Sequence, residues 1–596
     1  MSAPARRPPP LFGPRWFDEG RVIHRDAALL AVDKPVGVSC QAADPSRPDD
    51  LVHRLRGWLR ARGESDYLGV HQRLDRETSG VVLYATHKAA NPGLARQFEG
   101  RTVEKRYVAV VEGDPLRGRA ERGLRHGLRK GRQGRMVVTR PGERGSKEAR
   151  STLRLLERSG RRCLVDVSIE TGRTHQIRAQ LAAEGAPVVG DGLYGGPPGP
   201  RLALHARRLR LRHPLQDGEL VLEAPPPSLF EELLADAHDP YADLDGLLAR
   251  AAERRWGLAH RAATDGATTT YRLLHDLADG APELAIDVYD RWLVLQSSGD
   301  RGRAAEAAAI EAAMRLGAAG IYVKRRPRQA NTVESESQEV APAHPLAGEA
   351  APSPLLVKEG GLSFEVRLGE GLGTGLFLDQ RDNRARVRGA ADGRRVLNLF
   401  CYTAPFTVAA AAGGARLTVS VDASRRLLER GAINLSRNGF SARFADGLPA
   451  DEAGHVLWAK DAFEALDALA AAGRRFDLVL CDPPTYSTTR GPRRKTRRWK
   501  SGSGWIDLAA ACFRVLAPGG ALLASTNDRR TTAARFRGYV QDGARRAGVA
   551  LRQTKDLPLP LDVRPAPGVA PHLKALWVET ATSRGSSSSS VLDGDG

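Results

Sequence analysis

The string Gln72-Arg73-Leu74-Asp75-Arg76-Glu77-Thr78-Ser79-Gly80 sets one carboxylate between two guanidinium groups. It leads directly into the apolar run Val81-Val82-Leu83-Tyr84. Neighbouring positive charge favours the ionised form of an aspartate, and an ionised aspartate can act as nucleophile or base. Taken alone, the tripeptide is more simply a surface salt bridge. A second set of acids lies in the C-terminal third. Asp422 ends an apolar run about 20 residues after Val396-Leu397-Asn398-Leu399-Phe400, a spacing that puts a carboxylate where it accepts ribose hydroxyls in nucleotide-binding α/β sheets. Asp461-Ala462-Phe463 suits an adenine edge and face, and Asp482-Pro483-Pro484-Thr485 follows another apolar run, at a strand end where ligands bind. Singly, each of these is more often a helix cap or core packing.

The elements that must hold these groups differ between the two ends of the chain. Residues 20–225 show short β-type runs: Ala28–Asp33, Gly80–Ala85, Lys105–Val111 and Arg162–Ile169. Residues 395–580 alternate strand and helix. Val396–Phe400 precedes an Ala-rich helix closed by Gly413-Gly414-Ala415, and Leu417–Val421 precedes a helix starting near Ser424. Phe476–Cys481 follows, then a Pro518-Gly519-Gly520 turn into Ala521–Ser525. Such alternation predicts βαβ units and a mostly parallel, doubly wound sheet. The expected fold class is therefore α/β multidomain.

The chain has 596 residues, enough for about three or four domains. With 41% hydrophobic and 27% charged residues it can bury a core, which excludes disorder throughout. A net charge of +20 favours a polyanionic partner. Most of the excess lies in residues 1–230, which hold 41 Lys or Arg against 26 Asp or Glu. Leu116–Arg150 alone has 12 basic and 3 acidic residues, and reads as a solvated basic loop or an RNA grip. Arg490–Lys500 adds seven basic residues around Trp499, a mixture suited to phosphate contact and base stacking; Lys495 and Trp499 are its candidate RNA contacts. The five scattered cysteines include no CxxC pair, which argues against a disulfide scaffold or a structural zinc site. No apolar run reaches the roughly 18–20 residues that span a bilayer, and residues 1–16 lack a secretory apolar segment. The expectation is a cytoplasmic protein without membrane or metal partners. Breaks are expected at Ala224–Pro227 and in a flexible insert at 327–361, with a disordered tail at 584–596.

Four further strings accompany the Asp75 motif in order: Asp33-Lys34-Pro35-Val36-Gly37-Val38, Lys105-Arg106-Tyr107, Thr171-Gly172-Arg173-Thr174-His175-Gln176-Ile177-Arg178, and Val189-Gly190-Asp191-Gly192-Leu193-Tyr194-Gly195 leading to Leu202-Ala203-Leu204-His205-Ala206. As a set, this resembles the RluA-type pseudouridine synthases over residues 15–227. The resemblance implies a mixed, largely antiparallel α+β sheet and cofactor-free isomerisation of a uridine in RNA. Asp75 would act at the ribose. Arg178 would pair with it, Tyr107 would stack on the base, and Arg73 would fill the gap a flipped base leaves, with Arg76 a further RNA contact. Flipping is required because a stacked nucleotide hides its glycosidic bond. The family's His before Arg-Leu-Asp is replaced by Gln72, with His71 one place earlier. His175 and His205 read as structural hydrogen-bonding groups.

The C-terminal series resembles class I S-adenosylmethionine-dependent methyltransferases. More closely, Gly373-Thr374-Gly375-Leu376-Phe377-Leu378-Asp379-Gln380-Arg381-Asp382-Asn383-Arg384 and His572-Leu573-Lys574 resemble the RlmI/RlmK group, which acts on 23S ribosomal RNA. Tyr271-Arg272 and Ala285–Tyr289 resemble that group's small central α+β domain. The resemblance implies a central domain at 228–365 and a Rossmann-like methyltransferase domain at 366–583. It also implies S-adenosyl-L-methionine held by Asn398, Phe400, Tyr402, Thr403, Phe406, Asp422, Asp461 and Phe463, with Asp482 and Thr485 positioning the target base. Ala404-Pro405 replaces the group's Gly after Tyr-Thr. Because proline lacks an N–H and fixes φ near −65°, a weakened donor loop is expected.

Methylation of cytosine carbon needs an adding cysteine, but the place after the strand following Asp-Pro-Pro reads Ser525-Thr526-Asn527-Asp528-Arg529-Arg530. The pattern is nearer the RlmK type, with guanine N7 as target. The alternatives are a chain whose only activity is the synthase, a cytosine-C5 methyltransferase, and a non-catalytic ribosome-assembly factor.

Overall fold

The run Ser79–Ala85 is buried at all seven positions, so it belongs in the middle of a sheet. The computed structural model describes residues 16–41, 50–131, 134–264, 267–326, 339–490, 496–502, 504–566 and 569–582. They fall into two compact units, Met1–Ala350 with Ala566–Val569 and Ala351–Pro565 with Ala570–Gly596.

The first unit is built on an eleven-stranded sheet. Its strands are β1 (Val22–Arg25), β2 (Leu29–Lys34), β3 (Gly69–Val70), β4 (Ser79–Ala85), β5 (Glu104–Glu112), β6 (Glu121–Lys130), β7 (Met136–Thr139), β8 (Lys147–Ser159), β9 (Arg162–Ile169), β10 (Leu204–Arg212) and β11 (Glu219–Glu223). The order is β1-β2-β4-β10-β5-β9-β8-β6-β7, with β3 beside β4 and β11 beside β10. Only β4 and β10 run parallel, as the expected mixed, largely antiparallel sheet requires. At that crossing Gly80 has φ +114, and a Cβ there would lie 2.2 Å from the Ala206 carbonyl oxygen; glycine alone permits the approach.

Alternate residues of β2 and β4 serve opposite faces, as the period of two demands. Leu30, Val32, Val82 and Tyr84 pack with helix α1 (Leu51–Ala61). Leu29, Ala31, Val81 and Leu83 pack with α2 (Ala90–Glu99). The third helix, α3 (Gln176–Ala183), carries Arg178.

Leu116–Arg150 is not a loop: it supplies β6, β7 and the start of β8, which pair in antiparallel register. Alternation of Leu124 and Leu128 with arginines gives this stretch a buried face that its net charge concealed. Nor does the Pro-rich segment at 225–227 end the unit. Helix α4 (Leu229–Leu234) packs Phe230, Leu233 and Leu234 into the core that β5 and β9 supply. Beyond it stand α5 (Leu244–Arg254), α6 (Trp256–Thr264), α7 (Gly299–Ala304) and α8 (Glu306–Arg315). They accompany a five-stranded sheet of β12 (Thr270–His275), β13 (Leu284–Tyr289), β14 (Trp292–Ser298), β15 (Gly320–Arg326) and β16 (Ala347–Gly348). This is the small α+β domain expected from the sequence. Of the expected insert, residues 327–338 lie outside the described residues; the remainder includes β16 and β17 (Leu355–Glu359), the first strand of a hairpin whose second strand, β18 (Leu362–Val366), follows the insert. The tail at 584–596 also lies outside them.

The second unit contains that hairpin, helix α9 (Arg381–Ala390) and an alternating series: β19 (Arg395–Leu399), α10 (Pro405–Ala412), β20 (Leu417–Asp422), α11 (Arg425–Arg437), β21 (Ala442–Ala445), β22 (Gly454–Ala459), α12 (Ala462–Ala471) and β23 (Phe476–Cys481). A hairpin, β24 (Tyr486–Arg490) and β25 (Thr496–Lys500), precedes α13 (Gly504–Arg514), β26 (Leu516–Thr526), α14 (Ala533–Arg546), β27 (Leu551–Leu557) and β28 (Lys574–Thr580). The eight-stranded sheet has the order β21-β22-β20-β19-β23-β26-β28-β27. Its pairings are parallel through β26, and β28 is the reversed strand. This is the doubly wound Rossmann-like sheet expected. Two boundaries differ from the sequence reading. Phe400 lies past the end of β19, at φ +56. The Pro518-Gly519-Gly520 turn falls inside β26, where the register with β23 shifts. Among the described residues no helix is long and apolar enough to cross a membrane.

Candidate active sites

Asp75 sits in the connection from β3 to β4, and the Asp33–Val38 string holds that connection in place. Lys34, fully buried, donates from Nζ to the carbonyls of Pro35 (2.9 Å), Val38 (2.6 Å) and Arg76 (3.0 Å). Burial lowers its pKa to about 8. Gly37 N donates to the Arg76 carbonyl at 2.9 Å, and Arg76 Nε returns a bond to the Gly37 carbonyl at 2.8 Å. Arg76, read from sequence as an RNA contact, is thus committed through Nε to the scaffold of the loop. Arg73 is exposed and lines the cleft.

Arg178, from α3, meets Asp75: Nη1 lies 3.4 Å from Oδ2. The same guanidinium is clamped by Asp191, with Nε 2.6 Å from Oδ2 and Nη2 2.8 Å from Oδ1. Burial acts against the Arg178 charge, but Asp191 and Asp75 prevail and raise its pKa. His175 Nε2 is 3.9 Å from Asp75, and its Nδ1 is 3.1 Å from the Tyr194 hydroxyl. Burial lowers the His175 pKa against the pull of Asp75, which leaves the ring neutral near pH 7. Tyr107 comes from β5; burial and the Asp75 charge raise its pKa and keep the phenol protonated. Asp75, Arg178, Tyr107, Arg73 and His175 all line one cleft of about 850 Å³, with Lys105 and Arg173 at its sides.

His205 is a structural group. It is buried between Ser79 Oγ (2.8 Å) and the Ala224 carbonyl (3.1 Å), and burial takes its pKa down to about 4. Gln72 Nε2 lies 3.5 Å from the Val81 carbonyl, and the neighbouring His71 bonds Asn91 Oδ1 at 2.8 Å and stacks on Phe98. Sequence reasoning missed the part played by Asp191, although the quoted Gly190-Asp191-Gly192 string contains it.

In the second unit, Asp422 ends β20 as expected. Its Oδ2 accepts from Tyr402 N at 3.0 Å and its Oδ1 from Ser424 N at 2.9 Å. Burial raises its pKa against those two N–H groups. Among the described residues no ion pair reaches it. Such a desolvated acceptor suits hydroxyl donors, so the site fits the ribose of a nucleoside. Phe400, Tyr402 and Ala404 have φ of +56, +55 and +59. Strain on alternate residues is concentrated beside Asp422, as at ligand-binding turns. Pro405 is the first residue of α10, where its fixed φ is favourable and its missing N–H has no partner to lose. The expected damage from proline does not follow from this geometry; of the Ala404-Pro405 pair it is Ala404 that carries strain.

The other predicted donor-site residues divide. Tyr402 lies 5.2 Å, ring to ring, from the exposed Phe377. Asp461 caps α12, accepting from Phe463 N (3.0 Å) and Glu464 N (3.3 Å), and Phe463 packs on the core. Asn398, Thr403 and Phe406 point inward. The Asn398 amide donates to Thr407 Oγ1 (2.9 Å), the Thr403 hydroxyl donates to the Gly375 carbonyl (2.6 Å), and Phe406 is a core residue. Their side chains shape the loop; an apolar or satisfied interior position is what the strand and helix periods dictate there.

Asp482 follows β23. Its Oδ1 accepts from Ser525 Oγ at 2.6 Å and its Oδ2 from Gln380 Nε2 at 2.9 Å. Burial raises its pKa to about 6, and the charge of Asp379 adds to this. Asp379 itself meets His572 Nε2 at 3.0 Å, so the two strings singled out at either end of the domain converge. Thr485 donates to Asn527 Oδ1. Cys481 faces the core beside Cys512, which leaves it unsuited to attack a base beside Asp482. Lys495 lies outside the described residues, and Trp499 belongs to β25 by its backbone. Among the described residues no group of three or more His, Cys, Asp or Glu is arranged to hold a metal.

Comparison with known proteins agrees with both halves. A model described as RNA pseudouridylate synthase matches residues 28–183, and one described as S-adenosylmethionine-dependent methyltransferase matches 335–576. A ribosomal RNA large subunit methyltransferase of Deinococcus radiodurans is 31% identical over 346 residues, 57% of this chain and 78% of that protein. The YwbD protein of Bacillus subtilis is 30% identical over 300 residues, 50% of this chain and 70% of that one. Ribosomal RNA large subunit methyltransferase K/L of Stutzerimonas stutzeri is 38% identical over 258 residues, 41% of this chain but only 32% of that protein.

Fold and sites together define an enzyme with an isomerase module and a methyl-transferring module. The chain belongs to the S-adenosylmethionine-dependent methyltransferases of the RlmI/RlmK type, fused behind an RluA-type pseudouridine synthase.

Proposed function

We propose that this enzyme modifies large-subunit ribosomal RNA twice, converting a uridine to pseudouridine and methylating a guanine, at N7, with S-adenosyl-L-methionine. In this reading the synthase, expected at 15–227, also takes in α4, the rest of the first unit is the central domain, and the second unit, from Ala351, is the methyltransferase. The observation that carries the first activity is the Arg178 contact to Asp75 at 3.4 Å, backed by Asp191 within an open cleft. Arg178 holds Asp75 at 3.4 Å, aimed to act at the ribose. The bond from C1′ to N1 breaks, the uracil turns, and a bond from C1′ to C5 forms; the C5 proton is lost and N1 gains one. Atoms and charge balance without a redox partner. Tyr107, a protonated phenol in the same cleft as Asp75, stacks on the base, and Arg73 enters the space it vacates. Lys105 and Arg173 at the cleft sides suit RNA phosphates.

For the second activity, Asp422 accepts the ribose hydroxyls of the methyl donor, and Tyr402 and Phe463 flank it. The donor supplies an electrophilic methyl group. Asp482, Thr485 and Asn527 hold the target base edge-on. A ring nitrogen lone pair needs alignment, not covalent help, and the thiol next to Asp482, that of Cys481, is buried in the core beside Cys512. This favours a guanine nitrogen over cytosine C5.

The test is genetic and chemical. Deleting the gene should erase one pseudouridine and one methyl mark from ribosomal RNA. Restoring Asp75→Ala should return only the methyl mark, and Asp422→Ala only the pseudouridine. Persistence of both marks in the deletion overturns the reading.

A further inference from the structure

The connection that presents Asp75 rests on the central domain as well as on the synthase sheet. Arg254, the last residue of α5, lies against Gly37: a Cβ on Gly37, at φ +81, would come within 2.5 Å of Arg254 Cγ. Gly37 in turn exchanges two hydrogen bonds with Arg76, the residue after Asp75. From the same guanidinium, Nη2 lies 3.5 Å from Glu77 Oε2, on the next residue along the loop. The other nitrogen, Nη1, is fixed to the Ala278 carbonyl (2.8 Å) and to Asp279 Oδ1 (3.0 Å). Asp279 is buried and also takes both Nη atoms of Arg255, each at 2.6 Å. A second tie lies alongside: the buried Arg54 of α1 pairs with the Glu253 carboxylate and donates to its carbonyl at 3.0 Å.

We propose that Arg254 is a positioning residue for the synthase: the central domain, through Arg254, fixes the Arg76–Glu77 backbone and thereby aims Asp75 at the ribose. The inference rests on the synthase reading above. It makes the segment after residue 227 a working part of the isomerase, not a linker to the methyltransferase. The physical logic is that of a support held at two points. Asp279 fixes the guanidinium from one side, and Gly37 and Glu77 receive it on the other, so the loop cannot shift without breaking a charged contact.

The test uses the full chain, with pseudouridine formation and methyl transfer measured in the same preparation. If the wild-type chain forms no pseudouridine in ribosomal RNA, the functional reading fails and the inference with it. If it does, Arg254→Ala should lower kcat for pseudouridine about tenfold or more while KM stays within about twofold, because alignment rather than binding is lost. Methyl transfer, which belongs to the second unit, should be unchanged, and the retained KM for pseudouridine formation reports that the first unit is folded. Glu77→Gln, isosteric and on a side chain 43% exposed, does not threaten the fold and should lower kcat in the same sense. The double variant should be no worse than Arg254→Ala alone, since both remove one contact. A kcat within about twofold of wild type in either single variant, or losses that multiply in the double, overturns the proposal. Should Arg254→Ala not fold, Glu77→Gln decides by itself.

Discussion

Arg178 touches Asp75 with one nitrogen, Nη1 at 3.4 Å, because Nε and Nη2 are both taken by Asp191 at 2.6 and 2.8 Å. The strong bidentate bond is spent on orienting the arginine, and the weaker one on the aspartate that must react. An Asp75 held in a fork would have its lone pairs committed; held by a single long contact from Arg178 it keeps its reach.

Asp191→Asn tests that division. Asparagine offers one acceptor where Arg178 now finds two, and it removes a buried negative charge. The expected result is a loss of about 3–5 kcal/mol in unfolding free energy, the size typical of breaking a buried ion pair. Pseudouridine formation should fall by about a hundredfold, the scale set by a catalytic group displaced by an ångström. Denaturant unfolding and tritium release from 5-tritiated uridine in RNA measure the two effects. A variant as stable and as fast as wild type would show that Arg178 needs no clamp.

Asp75→Asn should separate the activities. It preserves the side-chain shape but removes the nucleophile or base, so isomerisation should drop by about 10⁴-fold or more, as when a reacting group is deleted. Methyl transfer, measured as label incorporated from S-adenosylmethionine, should stay at the wild-type rate. Equal losses in both assays would mean that the two modules act as one site.

These contacts were unevenly legible in the sequence. Asp75 and Arg178 belong to contiguous strings, and the resemblance of those strings to the RluA-type synthases implied their pairing before any fold was known. The doubly wound sheet was equally plain, because strands such as Leu417–Asp422 and Phe476–Cys481 are continuous apolar runs between turn residues. The basic stretch at 116–150 was misread because its charge count hid a period of two in Leu124 and Leu128. Inward-facing residues of the donor loop, Asn398 and Thr403, were named from motif position, yet which way a polar side chain turns depends on tertiary partners such as Thr407 and Gly375. Arg254 was invisible for the same reason: no local pattern marks a residue whose partners are Gly37, Glu77 and Asp279.

Asp482 should impose a pH dependence on methyl transfer. Its pKa is raised from 3.8 in the unfolded chain to about 6, mainly by burial. A raised carboxyl pKa contributes stability that is fully present below about pH 4 and is lost as pH rises through 6. Burying the ionised group therefore costs stability above pH 6, and Asp482→Asn should unfold at higher temperature than wild type at pH 7.5. If the ionised carboxylate orients the base, single-turnover methyl transfer should rise with an apparent pKa near 6, and the asparagine variant should lose both the rate and the limb. A flat profile from pH 5 to 8 in the wild-type chain would remove Asp482 from the reacting ensemble.

The donor loop offers a size-matched pair. Ala404 holds φ +59, and its methyl group lies where a side chain on Gly431 of α11 would have to go: a Cβ there would sit 2.9 Å from the Ala404 Cβ. An alanine in the left-handed region costs about 1–2 kcal/mol, so the loop tolerates Ala404 only because Gly431 leaves room for it. Gly431→Ala should accordingly destabilise the second unit by about 1–3 kcal/mol, the usual result of overpacking, and weaken S-adenosylmethionine binding in titration calorimetry by pushing the loop beside Asp422. Adding Ala404→Gly removes the opposing methyl group and the strain together, so the double variant should recover most of both losses. Ala404→Gly alone should change stability little, because relief of backbone strain is offset by a lost buried methyl, about 0.8 kcal/mol, and by the freer unfolded chain. A double variant as unstable as Gly431→Ala would place the damage in helix α11 itself and not in its contact with the loop.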